Sequence, residues 1–275
     1  MKNILLPTDF SDNSWSAIVY ALKLFIKTEA TFFLLHSTAI PASTMMNLSR
    51  KLEESINKQA IKDLEEFKDQ MEAIIDRSDQ KVEFILTKES MTEAIEKVVI
   101  QHSIDYIVMG TKGATAAQKI FFGSNTVRAI KHLMFCPLLI VPNEYTFRKP
   151  SQIAFPSDFN RFYNYKEIKP LKELAKLHDS AIRIVHINVE EHLDEIQEYN
   201  MTVLDEALDE VDHSFHWMPD YDKKTKEINV FIEDMEIDIL AMVKYKHSLI
   251  DALIKEPIIK KIGFHPTIPF LVIPD

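Results

Sequence analysis

ILLPTDFS at residues 4–11 returns as IAFPSDFN at residues 153–160, and what surrounds the two copies decides the fold. Each is a short apolar run that ends in proline, a hydroxyl residue, aspartate and phenylalanine. Working outward, FFLLHS (32–37) answers IRIVHI (182–187), and IDYIVMG (104–110) answers IDILAMV (237–243). CPLLIVP (136–142) likewise answers IPFLVIP (268–274). Four matches in one order at nearly constant offset mark a tandem duplication. The polar stretch NEYTFRKPS (143–151) reads as the linker, so the expected domains are 1–143 and 150–275.

Within the first copy, brief apolar runs at about 2–6, 31–36, 81–86, 104–109 and 137–141 read as strands buried on both faces. Helical spacing separates them. Residues 12–28 place Trp15, Ile18, Val19, Leu22 and Phe25 or Ile26 on one face, with Ser11 or Asp12 as the N-cap. Residues 48–77 form a long charged amphipathic helix with Leu52, Ile56, Ile61, Leu64, Phe67, Met71 and Ile74 as apolar positions. Shorter helices are expected over 91–102 (Ala94, Ile95, Val98, Val99) and 124–135 (Val127, Ile130, Leu133, Met134). Strands alternating with helices imply crossovers, and hence a mostly parallel sheet with helices on both faces. In such a sheet the ligand crevice lies beyond the carboxyl ends of the strands, where the strand order reverses.

Of the 275 residues, 46 % are hydrophobic and 27 % charged, the balance of a globular protein with real cores. The first residues are too polar for a signal peptide, and no run approaches the roughly 20 apolar residues that span a bilayer. Cys136 is the single cysteine, which excludes an internal disulfide framework and favours a cytoplasmic setting. The net charge of −10 argues against nucleic-acid binding. Residues 1–143 hold 16 Lys and Arg against 17 Asp and Glu, and residues 144–275 hold 16 against 25. A polyphosphate would therefore be drawn to the first half.

Only 4 glycines occur, where average usage of about 7 % would give roughly nineteen. Three of them, Gly110, Gly113 and Gly123, fall between a strand end and a helix start, the predicted ligand end of the sheet. Backbone N–H groups at Gly110 and Gly113 could form an anion nest. Gly123 and Ser124 would add the positive end of a helix, with Ser124 and Thr126 as hydroxyl donors. The spacing fits neither the Walker nor the dinucleotide pattern.

The Gly110-x2-Gly113-x9-Gly123-Ser124 signature, with ILLPTDFS, LLHS and CPLLIVP, resembles the universal stress protein family, here as a tandem two-domain member. The resemblance implies an α/β fold of two tandem, doubly wound, five-stranded parallel-sheet domains, Rossmann-like and akin to the adenine nucleotide alpha hydrolases. It implies ATP or AMP as ligand, with Mg as a further candidate. Pro7, Thr8 and Asp9 would lie near the base and ribose, and Ser37 beside adenine. Met109, Gly110, Gly113, Gly123, Ser124 and Asn125 would surround ribose and phosphates. It also implies that the closing strands pair the two domains intramolecularly, and it leaves open a homodimer.

The second copy departs from the signature, since Val243, Lys246 and Glu256 stand where the three glycines stand, with Pro257 near Ser124. It is expected to bind no nucleotide, its Pro156-Ser157-Asp158 being structural. His36 and His186, at equivalent strand ends, read as histidines bonded to nearby backbone, with a ligand-pocket role for His36 as the alternative. His213 and His216 lack a metal-site spacing, Cys136 reads as a buried thiol in preference to a redox sensor, and the acidic run around residues 189–213 reads as a solvated helix face, with partner recognition as the second reading. Lys112 and Lys119 are as well read as solvated loop residues as phosphate contacts. No nucleophile motif is present. The expected function is nucleotide-responsive binding or regulation, with the loop from Gly110 to Gly123 ordered by ligand. Slow ATP hydrolysis or autophosphorylation is the enzymatic alternative, and a nucleotide-free structural adaptor the third.

Overall fold

A computed structural model describes residues 1–40, 49–111, 122–132, 135–188, 192–219, 224–245, 250 and 267–275. The chain divides into two units, Met1–Phe147 and Arg148–Asp275.

The first unit alternates β1 (Lys2–Pro7), α1 (Asp12–Leu24), β2 (Ala30–Ser37), α2 (Arg50–Ile74), β3 (Gln80–Thr87), α3 (Met91–Gln101), β4 (Tyr106–Gly110), α4 (Ser124–His132) and β5 (Leu138–Val141). All its strand pairs are parallel, in the order β3-β2-β1-β4-β5. The order runs outward from β1 through β2 to β3, then restarts on the other side at β4. Ile4, Leu5 and Leu6 of β1 are wholly buried, as a strand covered on both faces requires. Helices α1 and α2 pack on one face and α3 and α4 on the other. Ser11 caps α1 by accepting from the Ser14 N–H, and Ser90 and Glu93 close a capping box on α3.

Three expectations change. β3 is not buried throughout, because it pairs with β2 alone: Lys81, Glu83 and Phe84 are exposed. On α1 the buried side carries Ala17, Ile18, Tyr20, Ala21, Leu22 and Leu24, and Phe25 continues inward while Ile26 is exposed. On α2 burial is confined to Ala60, Leu64 and Met71, whereas Leu52, Ile61 and Ile74 are exposed. A 25-residue helix is about 37 Å long, and the 8-residue strands beneath it span about 26 Å, so its ends overhang the sheet. Leu133 and Met134 lie outside the described residues.

The second unit contains β6 (Gln152–Pro156), α5 (Tyr165–His178), β7 (Ala181–Asn188), α6 (Glu195–Ala207), β8 (His213–Pro219), α7 (Lys224–Asp234), β9 (Ile239–Lys244) and β10 (Phe270–Pro274). Its strands are parallel in the order β8-β7-β6-β9-β10, the order of the first unit. No helix among the described residues is long and apolar enough to cross a membrane.

Candidate functional site

The strand order of the first unit reverses between β1 and β4. Their register, Leu5 opposite Ile107, sets Pro7 level with Met109 and Thr8 level with Gly110. The chain leaves β1 through a tight turn. The Thr8 N–H donates to the Leu35 carbonyl at 2.8 Å, and the Thr8 hydroxyl accepts from the Phe10 N–H at 3.0 Å and meets Ser14 Oγ at 2.9 Å. One carboxylate oxygen of Asp9 accepts from Ser11 Oγ at 2.6 Å and from the Ser11 N–H at 3.2 Å. This turn forces Phe10 into the left-handed region, φ 61°, where its ring lies 4.3 Å from that of His36. His36 Nδ1 in turn bonds the Thr8 carbonyl at 2.9 Å. Ser37, at the end of β2, donates its hydroxyl to the Glu89 carbonyl at 2.5 Å and accepts from the Ala39 N–H.

On the other side of the reversal, α4 is tied to the end of β4. Thr126 Oγ1 lies 3.0 Å from the Gly110 carbonyl and 3.3 Å from that of Thr111, and the Gly123 N–H donates to Thr111 O at 2.7 Å. Ser124 and Asn125 open the helix and are exposed. Pro7, Thr8, Asp9, Ser37, Met109, Gly110, Gly123, Ser124 and Asn125 thus stand at the carboxyl ends of β1, β2 and β4 or at the start of α4. Gly113, Lys112 and Lys119 lie outside the described residues.

Three observations bear on the anticipated anion nest. Gly110 is not in the left-handed region, and its missing Cβ answers to packing. A Cβ there would come within 2.0 Å of Asn13 Oδ1 and 2.9 Å of the Asn13 carbonyl. The Gly123 N–H is already used by Thr111. Thr126, 2 % exposed, directs its hydroxyl at backbone carbonyls rather than outward. What α4 offers an anion begins at Ser124, whose following N–H groups have no acceptor within the helix.

The second unit repeats the strand exit closely. The Ser157 N–H donates to Val185 O at 3.0 Å, the Phe159 N–H to Ser157 Oγ at 3.1 Å, and His186 Nδ1 bonds the Ser157 carbonyl at 2.9 Å. Phe159 is left-handed, φ 54°, and stacks on His186 at 5.0 Å. Sequence reading missed this phenylalanine–histidine pairing in both units. Its signal was present, since Asp-Phe and the strand-end histidine recur together.

Beyond that point the units diverge. Four residues join β1 to α1, and eight join β6 to α5. The longer connection carries Arg161, whose guanidinium lies 4.8 Å from the Tyr245 ring and 5.3 Å from the Tyr163 ring. Its Nη2 meets Glu167 Oε1 at 2.6 Å, and Glu167 is wholly buried. Burial pushes the Tyr163 phenol well above its ordinary range, and Tyr245 is raised by burial and by Asp158. Val243 occupies the position of Gly110 and is itself buried. Lys246, Glu256 and Pro257 lie outside the described residues.

The sequence model of the universal stress protein family matches residues 1–142. The chain belongs to this family. Universal stress protein MJ0531 of Methanocaldococcus jannaschii is 27 % identical over 146 residues, which are 51 % of this chain and 81 % of that protein. Among solved structures, a universal stress protein from Archaeoglobus fulgidus DSM 4304 aligns over 99 % of this chain and 96 % of its own, with a TM-score of 0.68 and 17 % identity. A functionally unknown protein from Pseudomonas aeruginosa PAO1 aligns over 100 % of this chain and 92 % of its own, with a TM-score of 0.58 and 14 % identity. The α/β fold with parallel sheets and alternating helices is that of the universal stress proteins.

Cys136 of this universal stress protein is buried, and burial first and Asp105 second raise its thiol far above the ordinary value, which suits an inert core residue. His213 bonds the Val211 carbonyl and the Asp205 carboxylate, and His216 Nε2 lies 2.8 Å from Ser214 Oγ.

Proposed function

We propose that the first unit binds an adenine nucleotide, ATP or AMP, at the carboxyl ends of β1, β2 and β4. The protein then acts as a nucleotide-responsive binding or regulatory protein in the cytoplasm. The observation that carries this reading is the strand-order reversal, where the Asp9 carboxylate at the end of β1 and the opening turn of α4 flank the end of β4. A carboxylate suits ribose hydroxyls or an exocyclic amine and would repel bare phosphate, while a helix start favours the anion. The two together suit a nucleoside phosphate better than either part alone. Mg, if used, would enter on the phosphates.

The second unit, in this reading, binds no nucleotide. The Arg161 guanidinium, between Tyr163 and Tyr245, occupies ground at the end of its own first strand. Calorimetric titration of the full chain with ATP and with AMP tests both halves of the proposal. One equivalent per chain is expected, lost in Asp9→Ala and kept in Asp158→Ala. Two equivalents, the second lost in Asp158→Ala, would overturn the asymmetry. No binding heat, with no adenine compound released from denatured protein, would overturn the nucleotide. Single-turnover hydrolysis, with Gly113→Val as the control for contaminating ATPase, separates binding from slow catalysis.

A further inference from the structure

Helix α6 of the second unit has a buried side and an exposed apolar side, and among the described residues only the first is covered. Asn200 and Leu204 face inward, and Leu208 just beyond the helix is wholly buried. Gln197 and Asn200 fasten the helix to the β6–α5 connection, donating to the carbonyls of Asp158 at 2.9 Å and Phe159 at 2.8 Å. The other apolar side carries Ile196, 66 % exposed, and Tyr199, 67 % exposed, with half-buried Val203 continuing the line. Their spacing of three and four residues sets them in one stripe along the helix. Phe162, 58 % exposed, and Tyr165, 74 % exposed, stand on the connection and at the start of α5. Because α6 is fastened to the connection through Gln197 and Asn200, the stripe is held ready rather than assembled on demand.

Charge says what fits it. Between residues 192 and 212 there are 8 Asp and Glu and no Lys or Arg. Glu210 and Asp212 have cationic partners and Asp205 bonds His213, but among the described residues Glu195, Glu198 and Glu206 have no ion-pair partner. Helical geometry runs Glu195 and Glu206 along the outer margin of the stripe. The counterpart helix of the first unit, α2, is different. It pairs its own charges at Arg50 with Glu54, Lys62 with Glu66 and Lys68 with Glu72, which leaves a solvated surface of both signs.

We propose that the Ile196-Tyr199-Val203 stripe of α6 is a docking surface for a basic amphipathic segment of a partner protein. Apolar side chains of the partner would lie along the stripe, and its Lys or Arg residues would meet the Glu195 and Glu206 margin. The sign of the charge disfavours nucleic acid and anionic membrane at this face. The proposal stands apart from nucleotide binding in the first unit.

The test uses the full chain and a fluorescently labelled 18-residue peptide of leucine and lysine patterned as an amphipathic helix, followed by anisotropy. Saturable 1:1 binding is expected, weakened at least tenfold by Ile196→Ser with Tyr199→Ser. A reversal at Glu195→Lys with Glu206→Lys should weaken it to a similar degree. All four positions are exposed, so the variants should keep the fold. Equal binding by the Ser/Ser variant, or by a leucine–glutamate peptide of the same pattern, would overturn the proposal. So would self-association that the Ser/Ser variant abolishes in sedimentation, because the occupant would then be a second copy. Flotation of the protein with anionic vesicles, lost in the same variant, would also overturn it.

Discussion

The two units leave their first strand in the same way and then solve the next few residues differently. In the first, four residues lead from β1 into α1, and Asn13 presses against Gly110 so closely that no side chain fits. In the second, eight residues lead from β6 into α5, Val243 stands in the glycine's place, and Arg161 with its two tyrosines lies over the strand ends. The difference teaches that a missing side chain on β4 is the consequence of a short connection. Where the connection is longer, valine is accommodated at this position and an arginine lies beside Tyr163 and Tyr245. The replacement of the glycine by valine and the repacking of the strand exit are, in this protein, coupled through the length of one connection.

The comparison breaks most sharply at the buried charge. Glu167 closes the capping box of α5 with Asn164 and pairs with Arg161, while the capping box on α3 of the first unit, Ser90 with Glu93, is exposed. Each unit holds one tryptophan, Trp15 and Trp217, so single-tryptophan variants report on the units separately in urea. Glu167→Ala should destabilise the second unit by about 3 kcal/mol, since it empties a wholly buried carboxylate position and leaves the half-buried Arg161 guanidinium, held beside two tyrosine rings, without its partner. Ser90→Ala should cost the first unit about 1 kcal/mol, the ordinary worth of a solvated cap. Equal losses would mean that Arg161 keeps enough water to make its pairing incidental.

The next test addresses Gly110. A Cβ at 2.0 Å from Asn13 Oδ1 must displace α1 or the side chain, so Gly110→Ala should cost about 2 kcal/mol through overpacking. Replacing Asn13 by Ala in the same chain removes the Oδ1 and Cγ contacts but leaves the backbone carbonyl at 2.9 Å. Partial recovery is therefore expected, read as a coupling in a double-mutant cycle followed through Trp15. Strict additivity would show that the glycine is needed for something other than Asn13.

Much of this was legible in the sequence, and the boundary is physical. Buried strands announce themselves as short apolar runs, and the repeat multiplied that signal, so the alternation and the parallel sheet followed. Ser11 and Ser90 mark helix starts by local chemistry alone. The reason for Gly110 was hidden because its partner, Asn13, is far away in sequence and meets it only through packing. Arg161 was hidden for the same reason, since an arginine in a polar connection has no period or spacing that says it will lie between Tyr163 and Tyr245. The candidate site residues at strand ends could be placed from topology, but which N–H groups are left open there depends on bonds such as Gly123 to Thr111 that follow from the folded geometry.

The smallest expected effect sharpens the comparison at the outer strands. Where the first unit places Phe33, Glu83 and Ile85, the second places Arg183, Ser214 and His216. Arg183 donates to Ser214 Oγ at 2.8 Å, and Ser214 can then donate onward to His216 Nε2, which accepts only while the ring is neutral. Burial first, and the Arg183 charge second, lower the His216 pKa from 6.5. The unfolded chain therefore binds this proton more readily than the native one. The stabilising contribution is whole above pH 6.5 and declines as pH falls, until the native ring is protonated as well. Urea midpoints reported by Trp217 should fall between pH 7 and pH 5 by less than the loss of a cap, and His216→Gln should flatten that part of the slope. A slope of the same size in His216→Gln would assign the proton to another group and leave the arginine–serine–histidine row without a part in the stability of the second unit.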